Sequence, residues 1–169
     1  MRREELFARD EFRCVYCGGI FPADELTVDH VQARVRGGDR SAGNLVTACA
    51  GCNVLKGHRR LSEFLAESMV ARENFFRYAK HVWPRHLRSV QEEIEARERK
   101  REERDRLQMN TLRLIREARQ ARGRHEVKKT RNMLLKVDQR ELRRLLGSEG
   151  DDLCRQINTW LRSTAPMFQ

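Results

Sequence analysis

No stretch of this 169-residue sequence holds an apolar run near the roughly 18 residues that a bilayer-spanning helix needs. The opening MRREELFARD also lacks the apolar segment of a signal peptide. These two absences set a membrane aside and give a cytoplasmic chain as the expectation. Apolar residues are short overall: 39 % of positions are hydrophobic and 36 % charged, so much of the chain must lie in water rather than in a thick core. Its length suits one domain, or one small domain with an extension. Acid is short against base, and the net charge is +10. A nucleic acid is the first partner this suggests, because clustered Lys and Arg displace counterions from phosphates, although excess charge also serves solubility. Five cysteines in a reducing compartment argue against a disulfide framework and turn attention to metal.

Four of the five form two pairs, Cys14 with Cys17 and Cys49 with Cys52, and Cys154 stands apart. Two residues between the members of each pair let both sulfurs turn toward one point about 2.3 Å away, the Zn–S distance. Gly18 and Gly19 follow the first pair and permit the tight turn of a zinc knuckle. A structural Zn2+ held by Cys14, Cys17, Cys49 and Cys52 is therefore expected. A redox pair is the rival, and two separated pairs suit one tetrahedral ion better than one exchanging disulfide. Cys154 is most simply a small apolar residue on a helix face.

Between the pairs lie LTVDHV (26–31), an arginine loop with Arg34, Arg36, Gly37, Gly38 and Arg40, and NLVTA (44–48). Both flanks are short and rich in β-branched residues, which predicts a β-hairpin. The second cysteine pair then opens a helix carrying Asn53 and Lys56 on adjacent turns of one face. The result is a ββα unit clipped by zinc, small enough that the metal must help hold it together.

The order C-x-x-C-G, Asp29-His30, Gly37-Gly38, Asn44-Leu45-Val46, C-x-x-C-N-x-x-K resembles the HNH endonuclease family in its zinc-bracketed branch, over roughly residues 9 to 60. The resemblance implies metal-dependent hydrolysis of DNA phosphodiesters leaving 5′-phosphate and 3′-hydroxyl ends. It also implies that Asn44 steadies the loop holding the base. Two positions depart from the pattern: Ala33 stands where relatives often carry Pro, and Val35 where they often carry Ser. Neither supplies chemistry in the family.

Residue chemistry points the same way. Phosphodiester cleavage needs an activated water, a cation against the developing charge, and fixed geometry between them. His30 is the candidate general base, with an unperturbed pKa of about 6.5. Asp29 offers a hard oxygen and Asn53 an amide oxygen to Mg2+ or Mn2+. Lys56, one helical turn after Asn53, could meet the phosphate. Arg34, Arg36, Arg40, Arg59 and Arg60 are candidate DNA contacts. The bland alternatives are a satisfied Asp-His pair, an Asn53 that merely caps a helix, an Asn44 that merely makes a turn, and arginines on a solvated face. One constraint is geometric: neighbours on a regular strand face opposite sides, so Asp29 and His30 share one phosphate only if the strand ends or bends there. His58, five residues after Asn53, turns away from it on a helix.

The α+β expectation is completed by the rest of the chain: residues 1–60 form the zinc module, 61–91 a helical segment beside it, 92–106 a charged helix or linker, and 107–169 a basic helical extension. Ser62 reads as an N-cap and Pro84 as a terminator or kink. Phe64, Leu65, Phe75, Phe76 and Trp83 read as packing. Residues 92–106 are charged at thirteen of fifteen positions with both signs mixed. From Asn110 to Leu146 there are twelve Lys or Arg against four acids, so a DNA-holding arm and a soluble scaffold are both open. DQRE at 138–141 resembles a capping box and Gly147 a helix stop. Leu153, Ile157, Trp160 and Leu161 give the apolar stripe of a last helix, which packs internally or pairs with a second copy in a homodimer. A single module has one active site and should nick one strand at a time. The rivals from other classes are a zinc-dependent DNA-binding module that no longer cuts and an interaction subunit of a nucleoprotein assembly.

Overall fold

The computed structural model describes residues 1–168, which form two compact units, Met1–Glu98 and Arg99 onward. The architecture is α+β, with one two-stranded sheet and eight α-helices among the described residues. No helix among them is long and apolar enough to cross a membrane.

In the first unit, α1 (Arg3–Arg9) leads into the cysteine knuckle, where Gly18 takes φ +77° and its N–H bonds Cys14 O at 2.9 Å. A side chain at Gly18 would be strained in that left-handed conformation. Strands β1 (Leu26–His30) and β2 (Leu45–Cys49) pair antiparallel in the register Leu26↔Cys49 to His30↔Leu45. The tip of α1 braces this hairpin. Arg9 donates to Ala42 O and Leu45 O, and Asp10 accepts from the N–H and hydroxyl of Thr47. Helix α2 (Ala50–Lys56) starts directly from β2, and the Cys49 sulfur caps it by accepting the Cys52 N–H at 3.4 Å.

Where the sequence predicts one helix capped by Ser62, two short ones form, α3 (Leu61–Glu67) and α4 (Met69–Tyr78). Arg60 is the N-cap of α3, its N–H taken by Glu63, while Ser62 is buried and donates to Glu93 at 2.6 Å. The break falls at Ser68, whose hydroxyl accepts the Ala71 N–H, because a serine N-cap competes with continuation of the preceding helix. Pro84 opens α5 (Pro84–Gln120) instead of ending a helix, the first-turn position at which its missing N–H costs nothing. Gly43 lies so close under Trp83 that a Cβ there would sit 2.2 Å from the indole, and Gly43 O accepts the Trp83 N–H. The core gathers Leu6, Phe7, Tyr16, Leu26, Val46, Leu65, Phe75 and Ile94.

Residues 92–106 are helical, inside α5, and the boundary between the units falls within that helix. In the second unit the rest of α5 packs with α6 (Gly123–Leu135), α7 (Gln139–Leu146) and α8 (Ser148–Thr164) around Leu134, Leu142, Leu153 and Ile157. Asp138 caps α7 by accepting two N–H groups, and Gly147 ends it at φ +57°. Cys154 is buried in this core, and the α8 stripe packs into it, with Trp160 donating to Ala118 O at 3.1 Å.

Candidate active site and metal centre

The knuckle and the start of α2 bring four sulfurs together. The Sγ atoms of Cys14, Cys17, Cys49 and Cys52 all lie within 4.8 Å of one another, and Cys17 and Cys49 are 4.0 Å apart. Sulfurs at about 2.3 Å from a tetrahedral zinc stand roughly 3.8 Å apart, so a small contraction closes the four on one ion. Burial pushes the Cys14 thiol up to about 11 and drives Cys52 far above the ordinary thiol value, so thiolates there need a positive charge beside them. Burial acts the same way on Cys49, but the Cys52 N–H and the neighbouring sulfurs outweigh it and leave that thiol lowered. The donor set is a closed site of four thiolates suited to structural zinc.

The hairpin presents Asp29 and His30 to different sides. The ladder is regular through both residues and stops at His30, so the two side chains point away from each other instead of converging on one phosphate. His30 lines a cleft of about 240 Å3 together with Gln32, Arg36, Lys56, Arg59, Arg60, Ser62, His86 and Glu93. Its Nε2 is buried and has no hydrogen-bond partner. Burial, the largest influence, lowers the His30 pKa below the ordinary imidazole value; Arg34, Lys56 and Arg40 push the same way and Asp29 opposes them. The ring is therefore neutral near pH 7 and free to accept a proton at Nε2.

Asp29 is 8 % exposed and does not line the cleft. Its Oδ2 accepts the Tyr16 hydroxyl at 2.6 Å, and its Oδ1 accepts Lys56 Nζ at 2.7 Å and the His30 N–H at 2.8 Å. Burial and then the Asp29 charge raise the Tyr16 pKa well above its ordinary value, which keeps the phenol protonated and donating. Lys56 joins the two sides, since it lines the cleft of His30 and bonds Asp29 from beneath it. Asn53 lies outside the cleft lining and donates its amide to Thr27 Oγ1 at 3.1 Å. As these side chains stand, Asp29 has no open face for a divalent cation, so the arrangement does not fit one.

Asn44 is completely buried and holds the loop after β1: its Oδ1 accepts the Gln32 N–H at 2.8 Å, and its Nδ2 donates to Gln32 O and Asp39 O. Arg36 and Arg60 reach the cleft without a carboxylate partner among the described residues. Arg59 also lines it, but its guanidinium is held by Leu55 O, Lys56 O and Glu67. Arg34 and Arg40 are exposed on the loop and outside the cleft lining, as is His58 beyond α2.

Two neighbours of the site were not predicted. Tyr16 lies inside CVYC, where its position between two ligands was the available signal. His86 comes from α5, where it stacks on Trp83 with ring centroids 5.6 Å apart; nothing in its local sequence links it to residue 30. Residues 14–59 match the family model described as HNH endonuclease. No curated protein matches the chain.

Proposed function

We propose that this chain is an HNH endonuclease that hydrolyses DNA phosphodiester bonds with His30 as general base. The observation that carries the reading is the buried, unpartnered Nε2 of a neutral imidazole in a cleft lined by Arg36, Lys56 and Arg60. A phosphate entering that cleft meets positive charge and forked donors suited to its oxygens. His30 Nε2 takes a proton from a water, the water oxygen forms a bond to phosphorus, and the bond from phosphorus to the bridging oxygen breaks. That oxygen leaves as an alkoxide and ends as a hydroxyl by taking a proton from solvent. Asn44 positions the base by holding the backbone directly after it. A Mg2+ or Mn2+ ion on Asp29 and Asn53, the ligands the resemblance implies, would need Asp29 freed from Lys56 and Asn53 from Thr27; in the arrangement present, Arg36, Lys56 and Arg60 are the cations that border the phosphate's cleft. One site per chain cuts one strand per visit. Supercoiled plasmid incubated with the zinc-loaded protein and Mg2+ is expected to pass first to the nicked form, and to stay intact with excess EDTA; intact plasmid under both conditions would leave a DNA-binding module that does not cut.

In the second unit, α6 and its C-cap residue Lys136 carry a basic face. His125, Lys128, Lys129, Asn132 and Lys136 recur at three- and four-residue steps and are exposed, opposite buried Val127, Thr130 and Leu134. None of these lysines has a carboxylate partner among the described residues, whereas Arg113, Arg143, Arg144 and Arg155 on the neighbouring helices are ion-paired. Unpaired cations are the ones free to replace counterions on DNA, so α6 is the surface proposed to hold it without reading sequence. The triple change Lys128→Gln, Lys129→Gln, Lys136→Gln is expected to reduce the slope of log K against log salt by about two to three. An unchanged slope in a variant with wild-type helicity would take α6 off the DNA surface.

A further inference from the structure

Asp29 has no open face for a divalent cation, so its part in the site lies in the groups it already holds. Both oxygens are occupied. Oδ1 accepts the Lys56 ammonium at 2.7 Å and the His30 N–H at 2.8 Å, and Oδ2 accepts the Tyr16 hydroxyl at 2.6 Å. The ion pair is enclosed, its side chains 6 % and 10 % exposed, so solvent screens it little. A carboxylate turns easily about its last bond, and the donor on Oδ2 is what keeps Oδ1 aimed at α2. That donor is itself fixed. The Tyr16 ring is buried between Phe64 and Phe75, and its backbone lies between two members of the sulfur cluster, Cys14 and Cys17. A chain of contacts therefore runs from the cysteine knuckle through Tyr16 and Asp29 to an ammonium that lines the cleft of His30.

We infer that Tyr16 is a positioning residue of the nuclease site: acting through Asp29, its hydroxyl sets where the Lys56 ammonium meets the phosphate. Of the three cations bordering the cleft, Arg36 and Arg60 have no carboxylate partner among the described residues, whereas Lys56 has its place dictated by one. Without the hydroxyl the carboxylate is free to turn and, short of one donor, draws the ammonium toward itself and off the phosphate. The reaction rests on the nuclease reading; the hold on Lys56 is a property of the chain alone.

The test compares the zinc-loaded full chain with Tyr16→Phe, which keeps the ring and removes only the donor. The kcat for plasmid nicking is expected to fall about ten- to a hundredfold, with zinc content, Trp83 emission and affinity for a short duplex as in the wild type. Lys56→Met should lower kcat by about 10²–10³-fold, and adding Tyr16→Phe to it should cost nothing further. A merely structural hydroxyl would cost the same in both backgrounds, and that result overturns the inference. The Lys56 ammonium is followed separately by 15N NMR without DNA. Held by Asp29, it should give a resolved signal that is absent in Lys56→Met and is broadened or lost in Tyr16→Phe and in Asp29→Asn. An unchanged signal in Tyr16→Phe overturns the inference. If Tyr16→Phe sheds its zinc, Asp29→Asn carries the test, since it leaves Tyr16 an acceptor and removes the charge that holds Lys56; a wild-type signal there overturns the inference as well. A signal that responds as expected in a chain that never cuts overturns only the nuclease reading.

Discussion

Cys14→Ser is expected to leave the first unit unfolded at 25 °C while the second unit keeps its structure. Structural zinc contributes apparent binding free energies of about 10–16 kcal/mol in small modules, comparable to the whole stability of an ordinary domain at about 5–15 kcal/mol. In the first unit the ion would hold more than its own ligands. Cys49 both ligates and caps α2, so its sulfur fixes where the helix bearing Asn53 and Lys56 begins. Tyr16 sits between Cys14 and Cys17, packs edge-on against Phe64 at 5.3 Å and stacks on Phe75 at 6.2 Å, and bonds Asp29. Loss of the knuckle therefore releases α3, α4 and the Asp29 side chain together. The chain has one tryptophan in each unit, Trp83 in the first and Trp160 in the second. Trp83 emission, read in a Trp160→Phe background, should shift to that of a solvated indole in Cys14→Ser or in excess chelator. Trp160 emission, read with Trp83→Phe, should not move. Cys154→Ser is the control, since that thiol lies in the other unit's core and takes no part in the sulfur cluster. A native Trp83 signal in zinc-free protein would show that the core of the first unit stands without the ion.

The zinc frame was legible because its geometry is local at both ends. Two C-x-x-C pairs each fix their own sulfurs within one turn, and the β-branched flanks of the arginine loop demand pairing, so the four ligands meet once the hairpin closes. The cap at Asp138 and the stop at Gly147 were readable for the same reason: each satisfies backbone groups close to itself in sequence. What failed depended on tertiary contacts. Ser62 has the chemistry of an N-cap, but its hydroxyl is better used on Glu93 from α5, thirty-one residues away. The site was legible as a set of residues and not as an arrangement. Period-2 alternation sends Asp29 under the sheet and His30 into the cleft, and only the fold reveals that Lys56 links them. The length of α5 was hidden because residues 92–106 carry no apolar periodicity, although they also contain neither Gly nor Pro to stop a helix.

His30→Ala is expected to lower cleavage by about 10²–10⁴-fold, the range for removal of a positioned general base, with zinc content and DNA affinity unchanged. The fold should tolerate the change because Nε2 has no partner to lose and the backbone N–H of residue 30 keeps its bond to Asp29. Leaving a buried ring nitrogen unpaired costs the folded protein, so a substitution to Ala that removes it should be neutral or mildly stabilising at this atom. The pH profile separates a base from a mere spacer. A base acts only when deprotonated, and burial with three neighbouring cations places the His30 pKa below its ordinary value of 6.5. In kcat/KM, which reports the free enzyme, wild-type activity should therefore fall as pH drops through a midpoint under 6.5 and stay level from there toward neutrality. His30→Ala should lose that acid limb along with the rate. His86, also in the cleft and also lowered by burial, is the competing source of such a limb. His86→Ala should keep it. A limb that survives in His30→Ala and disappears in His86→Ala would transfer the role of base to α5.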